Sequence, residues 1–169
     1  QKDTECMALA LKLSKLGRGS LGANPMVGCV ITRDDNIIAQ DYHRQYGESH
    51  AEVNALDQIN HKAHDCNVYV TLEPCSHQGK TPPCVKALVN ANVSKVFVAT
   101  LDSNPEVSGS GVKLLRDNGI QVEVGLLENA ALEVNRGFFK RMKTGLPFVT
   151  SKIAMSLDGR VAMKNGQSK

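Results

Sequence analysis

Glu73-Pro74-Cys75-Ser76-His77-Gln78-Gly79-Lys80-Thr81-Pro82-Pro83-Cys84 is the stretch on which the fold turns. Just before it, residues 68–72 form a short run rich in β-branched side chains that reads as a strand. At its end, Thr81-Pro82-Pro83 opens a helix running to about residue 91, because proline is tolerated in a first helical turn. A strand, a site-bearing loop and a helix in succession are the repeating unit of an α/β sheet, whose strand exits are where sites are built. Cys75 falls at such an exit, and Cys84 falls in a first helical turn, where the positive end of the helix dipole favours a thiolate.

Outward from this unit the same alternation continues. Apolar residues at helical spacing over residues 3–16, closed by Gly17 and Gly19, predict an amphipathic helix. Residues 22–25 read as a turn. Residues 26–32 and 37–40 read as two strands of a hairpin joined by Arg33-Asp34-Asp35-Asn36. Residues 49–59 read as a helix, with Ser49 and Glu52 forming an S-x-x-E capping box. Further on come a buried strand over residues 93–100, a helix over 109–118 closed by Gly119, a strand over 120–124 and one longer helix over 127–143. The expected order is α-β-β-α-β-α-β-α-β-α. It implies a three-layer α/β/α fold around a mixed, mostly five-stranded sheet, since the opening hairpin is antiparallel and the rest alternates with helices. Residues 147–162 read as a further strand followed by a Ser156-Leu157-Asp158-Gly159 turn, as though a second domain began there.

Bulk composition narrows the class. The 169 residues suit one ordinary domain with a real core, at 41% hydrophobic and 22% charged. With no Trp and 4% aromatics, that core must rest on Val, Leu, Ile and Ala. A net charge of +3 is too mild to suggest nucleic acid, and no apolar run approaches the ~18 residues of a membrane helix. Neither a nucleic acid nor a membrane is therefore an expected partner. Five cysteines at irregular spacing argue for reduced thiols in the cytoplasm, with Cys6, Cys29 and Cys66 as small core residues.

The chemistry lies in His50-Ala51-Glu52 taken together with Cys75 and Cys84. A catalytic zinc site takes three protein ligands and keeps its fourth position open. His50, Cys75 and Cys84 supply the three ligands. Zinc can lower the pKa of a water it binds from about 15.7 to roughly 7, or about 12 kcal/mol of help in forming hydroxide. Glu52, two residues beyond His50, is placed to carry protons without binding metal. A structural zinc site would need a fourth protein ligand, for which His61, His64 and His77 are the candidates. Iron could also bind such a donor set under other conditions.

The segments at 50–53 (HAEV), 73–84 (EPCSHQGKTPPC), 24–31 (NPMVGCVI) and 137–160 (GFFKRMKTGLPFVTSKIAMSLDGR) resemble the RibD (or RibG) family of bifunctional riboflavin-biosynthesis enzymes. The likeness runs over nearly the whole chain, covering that family's deaminase domain within the cytidine-deaminase-like superfamily. The eight-residue gap from Ser76 to Pro83 is its most specific feature, because most cytidine and tRNA deaminases space the two cysteines as CxxC. The resemblance implies hydrolytic deamination of 2,5-diamino-6-ribosylamino-4(3H)-pyrimidinone 5′-phosphate. Zinc would sit on His50, Cys75 and Cys84, with Glu52 as proton shuttle. It further implies substrate contacts at Asn24, His43, Lys80 and Asn104. Lys80 also stands on its own chemistry, as a cation in the ligand loop of a site for a phosphorylated molecule. Residues 1–145 would be the deaminase domain. Residues 146–169 would be the start of a reductase that needs NADP(H) only in a complete two-domain enzyme. The family commonly forms homo-oligomers. The alternative is a nucleoside or tRNA deaminase of the same chemistry.

Overall fold

A computed structural model describes residues 1–104 and 108–167. Pro105, at the end of the expected Asp102-Ser103-Asn104-Pro105 turn, and the last two residues of the polar tail lie outside the described residues. The elements in chain order are α1 (Lys2–Ser14), β1 (Gly28–Arg33), β2 (Asn36–Tyr42), α2 (Ala51–Gln58), β3 (Asn67–Val70) and α3 (Cys84–Asn90). They are followed by β4 (Lys95–Val98), α4 (Ser110–Asp117), β5 (Gln121–Val124), α5 (Glu128–Val134) and α6 (Arg136–Thr144).

The sheet runs β2-β1-β3-β4-β5. β1 pairs antiparallel with β2 and β3, while β3, β4 and β5 run parallel. The hairpin turn is made by Asp34 and Asp35, both at positive φ (47° and 64°) between the paired Arg33 and Asn36. Two such residues match the right-handed twist of the strands they join.

Strand alternation sends side chains to two cores. One face, with Cys29, Ile31, Val68, Val70, Val96 and Val98, packs with residues of α2, α3 and α4 such as Leu56, Leu88 and Leu115. The other, with Val30, Tyr69 and Phe97, packs with Met7 and Ala10 of α1 and Ala131 of α5. This is the expected three-layer α/β/α arrangement. Leu56 and Leu88 are wholly buried, each contributing roughly 1.5–3 kcal/mol by burial. Cys6, Cys29 and Cys66 are free and buried, as expected of core residues. At Gly28 α1 lies so near β1 that a Cβ would stand 2.0 Å from the Ala10 carbonyl oxygen.

Three expectations need correction. The helix over 127–143 is two helices, because Asn135 leaves helical geometry (φ −110°, ψ 24°) and turns its side chain into the structure. The capping box does not form: His50, not Ser49, is the N-cap of α2, and no side chain caps it. Glu52 is buried instead. The strand over the first part of 147–162 is also absent. That segment has no ladder partner on either sheet edge, and Val149, Ile153 and Met155 are exposed. The turn at Leu157 and Asp158 does form. No helix of the described residues is long and apolar enough to cross a membrane.

Candidate metal centre

The parallel strands β3 and β4 end side by side, and the chain leaving β3 stays on the sheet for a few residues more. The Glu73 N–H donates to the Thr100 carbonyl at 3.0 Å. Pro74 is fully buried, and Cys75 follows at the rim. The loop returns to α3 with Pro83 as N-cap and Cys84 as the first helical residue, so Thr81 and Pro82 precede the helix. The Cys84 N–H points at the Cys75 sulfur (3.3 Å), and the Val85 N–H donates to the Cys75 carbonyl (3.2 Å). The orphan N–H groups of this helix start thus hold the other cysteine.

His50 enters from the start of α2. Its backbone is extended (φ −73°, ψ 166°), and its carbonyl accepts the first helical bond, from Asn54 at 3.0 Å. Its Nδ1 lies 3.2 Å from the Cys84 sulfur and 3.6 Å from the Cys75 sulfur. All three ligand atoms fall within 4.8 Å of one another. Ligands at zinc's usual bond lengths and a tetrahedral angle place S and N about 3.6 Å apart, so the donor set fits the ion in spacing as well as type. Among the described residues no fourth side chain joins this group. His61 and His64 are instead engaged with Asp57 and Asp65 at 2.8 and 2.6 Å. His77 lines the adjoining pocket outside the group of three. A set of three leaves a coordination position open, the pattern of catalytic rather than structural zinc.

The two thiols divide one proton between them. Hydrogen bonding from the Cys84 thiol, helped by His50 and the Cys84 N–H and opposed by burial, pulls the Cys75 pKa down to about 4. The Cys84 thiol is pushed well up by its bond to Cys75 and by burial. Burial, opposed chiefly by His50, raises the Glu52 carboxyl, which also hydrogen-bonds the Cys84 thiol. A buried carboxyl with a raised pKa beside such a donor set is suited both to take and to give a proton.

The cluster opens into a pocket of about 350 Å³ whose lining includes Asn24, His43, His50, Glu52, Cys75 and Lys80. His43 is buried with Nε2 unpartnered, its ring 5.0 Å from that of His50. Burial, together with His50, lowers its pKa, so it meets a ligand as the neutral imidazole. Lys80 is exposed and rests its ammonium 4.1 Å from the centre of the Tyr46 ring. Asn104 stands beside the pocket and does not line it: its N–H donates to the carboxylate of pocket-lining Asp102 at 2.9 Å.

Sequence reasoning missed Glu73. Its buried carboxylate accepts the backbone N–H groups of Asp102 (3.1 Å), Gly109 (2.9 Å) and Val112 (3.1 Å). It therefore ties the β4 exit and the start of α4 to the residue before Pro74. The signal available was an acid directly preceding Pro-Cys. Phe138 also lines the pocket, more than fifty residues from the motif and beyond the break at Asn135.

A buried carboxyl beside one imidazole and two thiols, at the parallel-strand exits of a mixed sheet, defines the class of site: a deaminase-type metal centre. Residues 1–100 match the family model described as the cytidine and deoxycytidylate deaminase zinc-binding region. The chain is 48% identical over 167 residues to the riboflavin biosynthesis protein RibD of Escherichia coli, covering 99% of this chain and 46% of that one. It is 49% identical over 146 residues to a diaminohydroxyphosphoribosylamino-pyrimidine deaminase of Buchnera aphidicola from Schizaphis graminum, covering 86% of this chain and 99% of that one. The solved structure of Acinetobacter baumannii RibD (form 1) superposes with a TM-score of 0.93 at 50% identity, over 99% of this chain and 47% of that one. The chain belongs to the zinc-binding cytidine and deoxycytidylate deaminase family, in the RibD branch of riboflavin biosynthesis. It spans about half the length of the curated RibD proteins it matches.

Proposed function

We propose that the protein hydrolytically deaminates 2,5-diamino-6-ribosylamino-4(3H)-pyrimidinone 5′-phosphate, releasing ammonia and the corresponding pyrimidinedione. The observation that carries this reading is the buried Glu52 carboxyl set against the His50, Cys75 and Cys84 cluster. It is supported by the deaminase name of the Buchnera relative, which this chain matches over nearly that protein's whole length.

His50, Cys75 and Cys84 would hold zinc, which when bound lowers the pKa of water to about 7. Glu52 takes a proton from the attacking water. The water oxygen bonds to the ring carbon bearing the amino group, and Glu52 delivers its proton first to the ring nitrogen. As the C–N bond breaks, the proton of the newly added hydroxyl passes through Glu52 to the departing amine, leaving a carbonyl on the ring and releasing ammonia. Neutral His43, with its unpartnered Nε2, and Asn24 offer hydrogen bonds to the pyrimidine. Lys80 leaves the Tyr46 face to meet the phosphate; an exposed cation–π contact, worth about 0.5–1 kcal/mol, is a light hold. Asn104, joined to pocket-lining Asp102, acts on the same wall. Residues 146–169 are read as the opening of a reductase domain. The free state of all five thiols supports a cytoplasmic setting.

The test is ammonia release from the diaminopyrimidine phosphate, with elemental analysis of the same sample. Turnover with about one zinc per chain is expected; a zinc-loaded protein that releases no ammonia from this substrate would overturn the reading.

A further inference from the structure

We infer that Phe138 is a substrate-contacting residue and that Asn135 is the positioning residue that sets it, the break between α5 and α6 completing the pocket wall. The inference rests on the deaminase reading above and extends it to residues outside the metal-binding segments.

The break is built, not incidental. Residues 127–143 carry enough helical character for one helix, yet Asn135 departs from it. The Met26 N–H donates to Asn135 Oδ1 at 2.8 Å, and Asn135 Nδ2 donates to the Met26 carbonyl at 2.8 Å. The two residues stand 109 apart in sequence. A side-chain amide can donate and accept toward one backbone unit in this way; an ionised carboxylate cannot donate, and an aliphatic group can do neither. Because Asn135 is buried, losing this pair leaves polar groups unsatisfied.

α6 has little else to hold it. None of its residues is fully buried. Its other ties include the Arg141 guanidinium on the Ala23 carbonyl (3.2 Å) and Phe139 against the sheet core. The exposed Arg136–Glu133 ion pair (2.9 Å) and the Arg136 and Lys140 cations over the Phe148 ring are surface contacts of little worth. The Asn135–Met26 pair therefore sets how α6 lies against the turn that carries Asn24 and Pro25.

The consequence is the position of Phe138. It lines the metal pocket and also the neighbouring cleft of about 310 Å³; Asn24 is the other residue lining both. In a chain with 4% aromatics, the pocket lining holds two such rings, Phe138 and Tyr46, and Tyr46 lies on the Lys80 side of the pocket. Among the described residues Phe138 has one ring neighbour, Phe139, in edge-on contact at 5.4 Å. Its position offers an aromatic surface to a planar heteroaromatic substrate.

The experiment is steady-state ammonia release by wild type, Phe138→Ala, Phe138→Leu, Phe138→Tyr, Asn135→Leu and the Phe138→Ala/Asn135→Leu double variant. Zinc content and thermal melting are measured on each. Loss of a base–aromatic contact predicts a roughly tenfold rise in KM for Phe138→Ala and Phe138→Leu, with kcat within about threefold. Phe138→Tyr should restore the wild-type KM, and zinc content should not change. Asn135→Leu should raise KM similarly and add little in the Phe138→Ala background, since the two act through one ring. A Phe138→Leu enzyme with wild-type KM would show that bulk alone matters and overturn the contact. Additive effects in the double variant would overturn the positioning role. Failure of wild type to release ammonia would instead sink the underlying deaminase reading, so the two failures are distinguishable.

Discussion

The backbone N–H of Cys84 points at the sulfur of Cys75, 3.3 Å away, so the chain's own helix start gathers the two thiols. Removing the Cys84 thiol would remove a proposed zinc ligand but leave the backbone bond from Val85 to Cys75 in place. Cys84→Ser should therefore keep its fold by circular dichroism while its zinc-to-protein ratio falls. A ratio equal to wild type would take Cys84 out of the ligand set.

Glu52 is buried beside His50, Cys75 and Cys84 but lies outside that group of three possible metal ligands. Glu52→Gln keeps shape and hydrogen bonding and loses only the exchangeable proton. Zinc content should stay at the wild-type level, while ammonia release falls by about 10²–10⁴-fold, the usual worth of a positioned acid–base group. Near-normal turnover in this variant would end the proton-shuttle assignment.

Gly111 supports the site from behind. A Cβ there would stand 2.1 Å from the Pro74 carbonyl oxygen and 3.2 Å from Glu73 Oε1. Both neighbours are buried, and Glu73 is tied to three backbone N–H groups, so neither can yield cheaply. Gly111→Ala should cost about 1–3 kcal/mol in denaturant unfolding and reduce activity by displacing Cys75. Unchanged stability would show that α4 can move away from the Glu73-Pro74 segment.

Asp41 gives the fold an acid-sensitive point. Burial would raise its pKa, but the two-pronged bond from Arg44 (3.1 and 2.7 Å), with the Tyr42 N–H and Gln58, holds it below the usual carboxylate value. A carboxyl depressed in the folded state stabilises fully above its unfolded pKa of about 3.9 and stops doing so as pH falls through its lower folded value. Melting temperatures from pH 6 down to pH 3 should fall less steeply in Asp41→Asn than in wild type. Parallel profiles would remove Asp41 from the acid response.

Much of the architecture was legible because its signals are local. Hairpin and helix periodicities, and the Gly119 stop after α4, each depend on a few neighbouring residues, and their alternation implies the mixed α/β sheet. The grouping of His50, Cys75 and Cys84 was legible for the same reason, as each sits at a strand exit or helix start within its motif. The capping box failed because a local S-x-x-E pattern cannot reveal that Glu52 faces inward. The strand expected over the start of 147–162 failed because a strand needs a partner edge as well as β propensity.

The sequence by itself determined the α/β class, the set of one imidazole, two thiols and one carboxyl, and the family likeness that suggests a phosphorylated pyrimidine. Only the tertiary structure decided how the pocket is walled. Asn135 breaks a helix to bind Met26 across 109 residues, Glu73 gathers N–H groups from as far as Val112, and Phe138 arrives beside Asn24. The physical reason is range: periodicity and capping act within a turn or two, whereas satisfying a buried amide or carboxylate depends on which distant backbone the folded chain brings to it.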